Sequence, residues 1–155
     1  MTIESECAVC AKAAYSNEDS LPEMTNLIRS YYLDSDNAEG YVFCFPKKII
    51  IALRGTEPSQ FSDITADLKF WRVNYKSKEK VHSGFFFEAL SLWGQIVDAL
   101  YKELKLSPHD SRDIYVTGHS LGGAMAVIVA GFVQRHTPVD GRLAGLITFG
   151  QPRVG

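Results

Sequence analysis

The sequence lacks the signatures of several functional classes. It has no excess of basic charge: sixteen Lys and Arg stand against eighteen Asp and Glu, giving a net charge of −2 and a pI near 6.1. That removes the electrostatic footprint expected of a nucleic-acid binder. The longest apolar run is Gly122 to Val133 (GGAMAVIVAGFV), about a dozen residues, where a helix crossing a bilayer needs ~20. It reads as a buried core helix. The N-terminus, MTIESECAVCAKAA, carries two glutamates and no basic stretch ahead of an apolar one, so it does not read as a secretory signal and a cytoplasmic protein is expected.

Cysteine is also scarce. Cys7, Cys10 and Cys44 make an odd number and show no disulfide-framework spacing. Cys7-Ala-Val-Cys10 is formally a C-x-x-C, but a tetrahedral zinc site wants four ligands and no second such pair exists. Two small residues packed into a helix core at i and i+3 is the simpler reading. No metal and no cofactor are expected.

What remains is a 155-residue chain with 46% hydrophobic and 22% charged residues, the composition of one folded core. Local patterns predict a helix over residues 4–15 and a second over 22–32, started by Pro22. A polar turn over 34–40 follows. Tyr41 to Phe45 and Lys48 to Leu53, rich in β-branched and aromatic residues, read as a hairpin. Phe70 to Tyr75 is a weaker strand candidate, and the charged run from Lys76 to Lys80 reads as a solvated turn. Apolar residues at Phe86, Leu90, Trp93, Val97, Leu100 and Leu104 recur every three to four positions, predicting an amphipathic helix over 85–104. Strand 113–117, helix 121–134 and strand 143–149 then imply a right-handed parallel crossover and an α/β fold.

The sharpest feature is Gly118-His119-Ser120-Leu121-Gly122, a G-x-S-x-G where a predicted strand runs into a predicted helix. A turn this tight lifts the Ser120 hydroxyl above the C-terminal edge of the sheet. Glycines at 118 and 122 avoid collisions with neighbouring chain. The helix N-terminus turns backbone N–H groups toward the same point, and that of Leu121 would face an oxyanion formed when Ser120 attacks an acyl carbon. His119 reads as a packed flank, because adjacent side chains in such a turn diverge.

Four blocks in order resemble the class 3, or fungal-type, lipases of the α/β-hydrolase fold. They are IALRGT (51–56) with the following Asp67-Leu68, VHSGFFFEAL (81–90), VTGHSLGGAMA (116–126) and TFGQPRVG (148–155), and the resemblance covers roughly residues 40 to 155. It implies a mostly parallel sheet flanked by helices, with Ser120 as nucleophile. It also implies Thr56 as second oxyanion donor and Asp67 as the carboxylate holding its hydroxyl. Residues 57–66 take the place of the family's lid, with Phe61 and Ile64 as the large apolar residues among them.

The expected activity is hydrolysis of lipid or other carboxylic esters through an acyl-enzyme, with ester or lipid as partner and a transient lipid interface. Acyl transfer or thioester hydrolysis would use the same serine. The general base is the gap. Chain order in this fold is Ser, Asp, His, and after Ser120 only His136 and Asp140 remain, in the wrong order. His136, sixteen residues on, would lie about 24 Å down the helix at ~1.5 Å per residue. His109 precedes the strand that delivers Ser120, and His82 matches a structural position of the family. Its Asp and His follow the Pro-Arg-Val-Gly block, so the resemblance implies an N-terminal portion of the catalytic domain with its C-terminal part missing. The other reading is a catalytically inactive piece acting as a lipid-binding or interaction module.

Overall fold

A computed structural model of the chain describes residues 1–36, 38–55, 72–74, 80–106, 110–136, 139 and 141–154. Helix α1 (Ile3–Ala13) is followed by a short 3-10 turn at Glu18–Ser20 and by strands β1 (Arg29–Ser35), β2 (Ala38–Cys44) and β3 (Lys48–Leu53). Strands β4 (Arg72–Asn74) and β5 (Lys80–His82) come next. They lead into helix α2 (Ser83–Leu106), strand β6 (Asp113–His119), helix α3 (Leu121–Val133) and strand β7 (Leu143–Phe149).

The main sheet has the order β1-β2-β3-β6-β7 and is mixed. Its β1-β2-β3 half is antiparallel, and β3-β6 and β6-β7 are parallel. The parallel half is the crossover expected from the strand–helix–strand pattern. β4 and β5 form a separate two-stranded antiparallel ribbon.

Alternation along β2 and β3 builds a core on each face. Tyr41, Phe43, Ile50 and Ala52 pack against Cys7, Cys10, Ala13 and Ala14 of the α1 segment. Val42, Cys44, Ile49, Ile51 and Leu53 face the other way, onto Phe85, Leu92 and Ile96 of α2 and Ala124, Met125 and Ile128 of α3. Side chains of period two thus serve both layers. Helix α3 is apolar all round because it is buried between the sheet and α2.

Two expectations need correction. The predicted helix over 22–32 does not form. Asn26 sits at φ 62°, outside the helical region, and Tyr31 and Tyr32 extend in β1 opposite Val42 and Tyr41. The polar turn is also shorter than 34–40, since Asp34 and Ser35 end β1 while Ala38 to Gly40 open β2. The weak strand over 70–75 is observed as β4. Phe70, Trp71 and Tyr75 of that strand and most of the charged run, 76–79, lie outside the described residues, although Lys80 belongs to β5.

A cluster of buried charges pins the sheet at the end where β6 begins. Glu103 of α2 accepts from Arg29 at 2.7 Å, from the Tyr31 hydroxyl at 2.6 Å and from Arg112 at 2.7 Å. Asp110 accepts from the Arg112 Nε and backbone N–H, at 3.0 and 2.9 Å, and pairs with Arg142 at 3.4 Å. Arg112 also donates to the Phe45 carbonyl at 3.3 Å. One guanidinium therefore joins α2, the entry to β6 and the end of β2.

Candidate active site

At the other end of β6, about 20 Å away at ~3.3 Å per residue, the chain turns within one residue from strand into helix. Ser120 is that residue, with φ 57° and ψ −124°, a conformation costly for a non-glycine residue. The surroundings hold it there. Its N–H donates to the Phe149 carbonyl at 2.9 Å, and its carbonyl accepts from Gly123 and Ala124 at 3.0 and 3.2 Å. The end of β7 fixes one side of the turn, and the first helical turn fixes the other.

The glycines are required by close approach of backbones. A Cβ on Gly118 would fall 2.3 Å from the Gly122 carbonyl, and one on Gly122 would fall 2.2 Å from the Leu53 carbonyl oxygen. The elbow is thus in direct contact with the end of β3, where Leu53-Arg54-Gly55 leaves the sheet. Gly55 fits equally tightly, since a Cβ there would lie 2.5 Å from the His119 carbonyl and 3.2 Å from the Gly122 nitrogen.

Ser120 is 3% exposed, and its Oγ is buried with no hydrogen-bond partner among the described residues. A buried hydroxyl without a partner is costly. Here it sits at the N-terminus of a thirteen-residue helix, where the N–H groups of Leu121 and Gly122 precede the first N–H with an intrahelical partner, that of Gly123, and the helix dipole favours negative charge. Such a site can stabilise negative charge developing on an oxygen placed at the head of the helix.

The structure therefore brings Gly118, Ser120, Leu121 and Gly122 together beside Gly55. Thr56 and Asp67 lie outside the described residues, as do residues 57–66, His109 and Asp140. Among the described residues no histidine reaches Ser120 Oγ. His136 lies beyond the far end of α3, its ring edge-on to Trp93 and Tyr101 at 5.4 and 5.9 Å. His82 accepts the Gly84 N–H on Nδ1 at 3.2 Å and packs on Phe85 at 4.7 Å. His119 turns away from the serine, its Nδ1 3.0 Å from the Tyr15 hydroxyl. Tyr15 had no signal in the sequence, because it meets the elbow across more than a hundred residues of chain.

Residues 50–155 match the family described as Lipase (class 3). The chain belongs to the class 3 lipases. It is 30% identical over 173 residues to triacylglycerol lipase OBL1 of Ricinus communis, an alignment covering 81% of this chain and 32% of that protein. It is 38% identical over 112 residues to a lipase of Rhizomucor miehei, covering 70% of this chain and 30% of the relative. The solved structure of Rhizomucor miehei triacylglyceride lipase superposes with a TM-score of 0.74 at 26% identity, covering all of this chain and 65% of that one. The fold is that of the α/β-hydrolase lipases. The chain spans about a third of the length of the curated relatives it matches.

Proposed function

We propose that this chain carries the nucleophile-bearing part of a lipase-type carboxylic-ester hydrolase. The observation that supports it most is Ser120 at φ 57° with its buried Oγ unpartnered at the head of α3. In this reading Ser120 Oγ attacks the ester carbonyl, and its proton passes to a base that in turn protonates the leaving alkoxide. The N–H of Leu121 and that of Thr56 hold the oxyanion, with Asp67 supporting Thr56. Water then attacks the acyl-serine, and the carboxylic acid leaves. The names of its relatives, which include triacylglycerol lipases and a secreted mono- and diacylglycerol lipase of Fusarium solani, favour acylglycerols as the substrate class. A fungal lipase–inhibitor structure at 32% identity bears on interfacial activation, which supports encounter with substrate at a lipid surface.

A second reading has its own observation. No histidine among the described residues lies within hydrogen-bonding reach of Ser120 Oγ, which favours an inactive module for the described residues taken by themselves. Intact mass after treatment with a fluorophosphonate decides between the two, with Ser120→Ala as control. A single adduct lost in the variant supports an activated serine. No adduct on the wild-type chain overturns hydrolysis by these residues alone.

A further inference from the structure

We propose that Tyr15 is a positioning residue that clamps the nucleophile elbow to the strand end carrying the second oxyanion donor. The inference rests on the ester-hydrolase reading only for its purpose, since the clamp itself is a matter of geometry.

Tyr15 lies two residues past α1, on the opposite face of the sheet from α2 and α3. Its N–H bonds to the Lys12 carbonyl at 3.2 Å, so the tyrosine is carried by the end of that helix. Its side chain meets three groups at once. The hydroxyl lies 3.0 Å from His119 Nδ1, next to the nucleophile. It occupies the space above Gly55, where an added Cβ would fall 2.6 Å from the Tyr15 oxygen. Its ring lies beneath the Arg54 guanidinium, 5.8 Å from the centroid. Arg54 is itself held, its N–H donating to the Glu39 carbonyl at 2.9 Å and its side chain paired with the Glu39 carboxylate.

The consequence concerns two backbones. Gly55 and the 119–122 turn are packed to the limit of contact, yet among the described residues no hydrogen bond joins them. Their spacing is set by what presses on them. Tyr15 touches both, through a hydrogen bond on one side and van der Waals contact on the other. An oxyanion hole made of one N–H after Gly55 and one after Ser120 needs that spacing held to a fraction of an ångström. As part of this clamp the Tyr15 hydroxyl is assigned as the donor to Nδ1, 3.0 Å away, an assignment that puts the His119 proton on Nε2. The imidazole beside the serine is then kept turned away from it.

The test is nuclear magnetic resonance on the intact chain and its Tyr15→Phe variant, which keeps the ring and removes only the hydroxyl. Side-chain nitrogen shifts of His119 report the tautomer, and amide exchange at Gly55, Leu121 and Gly122 reports the clamp. In the wild type Nδ1 is expected as the unprotonated nitrogen. In Tyr15→Phe that preference is lost, and exchange at the three amides rises about tenfold, the effect of one hydrogen bond. Amides of β1 and β2 stay unchanged. Tyr101→Phe, on the exposed side of α2, serves as a control that alters neither reading. An unchanged His119 tautomer with unchanged exchange at Gly55 and Leu121 overturns the proposal.

These readouts do not depend on turnover, so failure of the clamp and failure of the hydrolase reading are distinguishable. Where the wild-type chain does take up fluorophosphonate, labelling of Tyr15→Phe is expected to slow about tenfold with unchanged probe affinity. Equal labelling rates would overturn the clamp while leaving the hydrolase reading intact.

Discussion

A Cβ on Gly122 would stand 2.2 Å from the carbonyl oxygen of Leu53 and 2.8 Å from the carbonyl carbon of Arg54. These are backbone atoms of a central strand and its exit, with no flexible side chain to swing aside. Gly122→Ala must therefore push α3 off the sheet or distort the turn at Ser120. We expect a loss of about 3 kcal/mol or more in unfolding free energy, at the upper end for an overpacked core. Urea unfolding followed by circular dichroism measures it. A variant within 0.5 kcal/mol of wild type, roughly the scatter of surface substitutions, would show that the elbow is looser than the contacts imply.

Gly122 was legible in the sequence, and the reason separates what could be read from what could not. Strand, elbow and helix over 113–133 are encoded locally, by a β-branched run ending in glycine and an apolar stretch long enough for a buried helix. Strand 143–149 is local in the same sense. The segment before Arg29 is not. Pro22 reads as a helix start, but Tyr31 is placed by pairing with Val42 and by its bond to Glu103, seventy-two residues on. Tertiary pairing overrides propensity there. Tyr15 is the extreme case, since it meets the site only through a contact with His119, 104 residues on. The base is a different matter, since no residue pattern in the described chain supplies one.

The charge cluster around Arg112 sets the acid limb of stability. Burial alone would push the Glu103 and Asp110 carboxyls up. The hydrogen bonds from Tyr31, Arg112 and Arg29 to Glu103, and from Arg112 with the charge of Arg142 to Asp110, outweigh it and hold both below their ordinary values of 4.5 and 3.8. A depressed folded-state pKa contributes stability that is full above the unfolded value and is lost as pH falls toward the folded one. The melting temperature is thus expected to drop steeply below about pH 4.5. Arg112→Ala leaves two buried carboxylates short of a partner and is expected to cost about 3–5 kcal/mol at pH 7. Thermal melts from pH 7 to pH 3 on both proteins check the slope and the offset. An Arg112→Ala chain as stable as wild type at pH 7 would show that this cluster does not pin the sheet.

The three cysteines give a prediction about what the chain does not do. Cys7, Cys10 and Cys44 are free and essentially unexposed. Burial first, then nearby acidic groups, pushes the Cys7 thiol up to about 11, while burial raises those of Cys10 and Cys44 to about 12. Thiolate is the reactive form, so at pH 8 the native chain should react with an aromatic disulfide reagent only at its rate of opening. Three equivalents should appear promptly in denaturant. A fast equivalent from the folded chain would show that one of these thiols is accessible in the native state.

Glu88 acts against the carboxylates of the Arg112 cluster. It lies in α2 beside a cavity of about 330 Å³ lined by Ser35, Asp36, Gly84, Phe87 and Ser91. Its Oε2 is buried with no hydrogen-bond partner among the described residues, and burial pushes its pKa up from 4.5 to about 7. A folded-state pKa above the unfolded one means the native chain binds the extra proton. Its contribution is full below about pH 4.5 and is lost as pH rises through about 7. Stability is therefore expected to fall between pH 5 and pH 8. Glu88→Gln, which cannot ionise, removes that fall and should be more stable than wild type at pH 8 by about 1–2 kcal/mol, discounted for partial exposure. At pH 5 the two should agree closely, because wild-type Glu88 is then mostly protonated in the fold. Urea unfolding at the two pH values tests the pair of statements together. A variant less stable than wild type at both would mean that the Glu88 carboxylate has a favourable partner in solution.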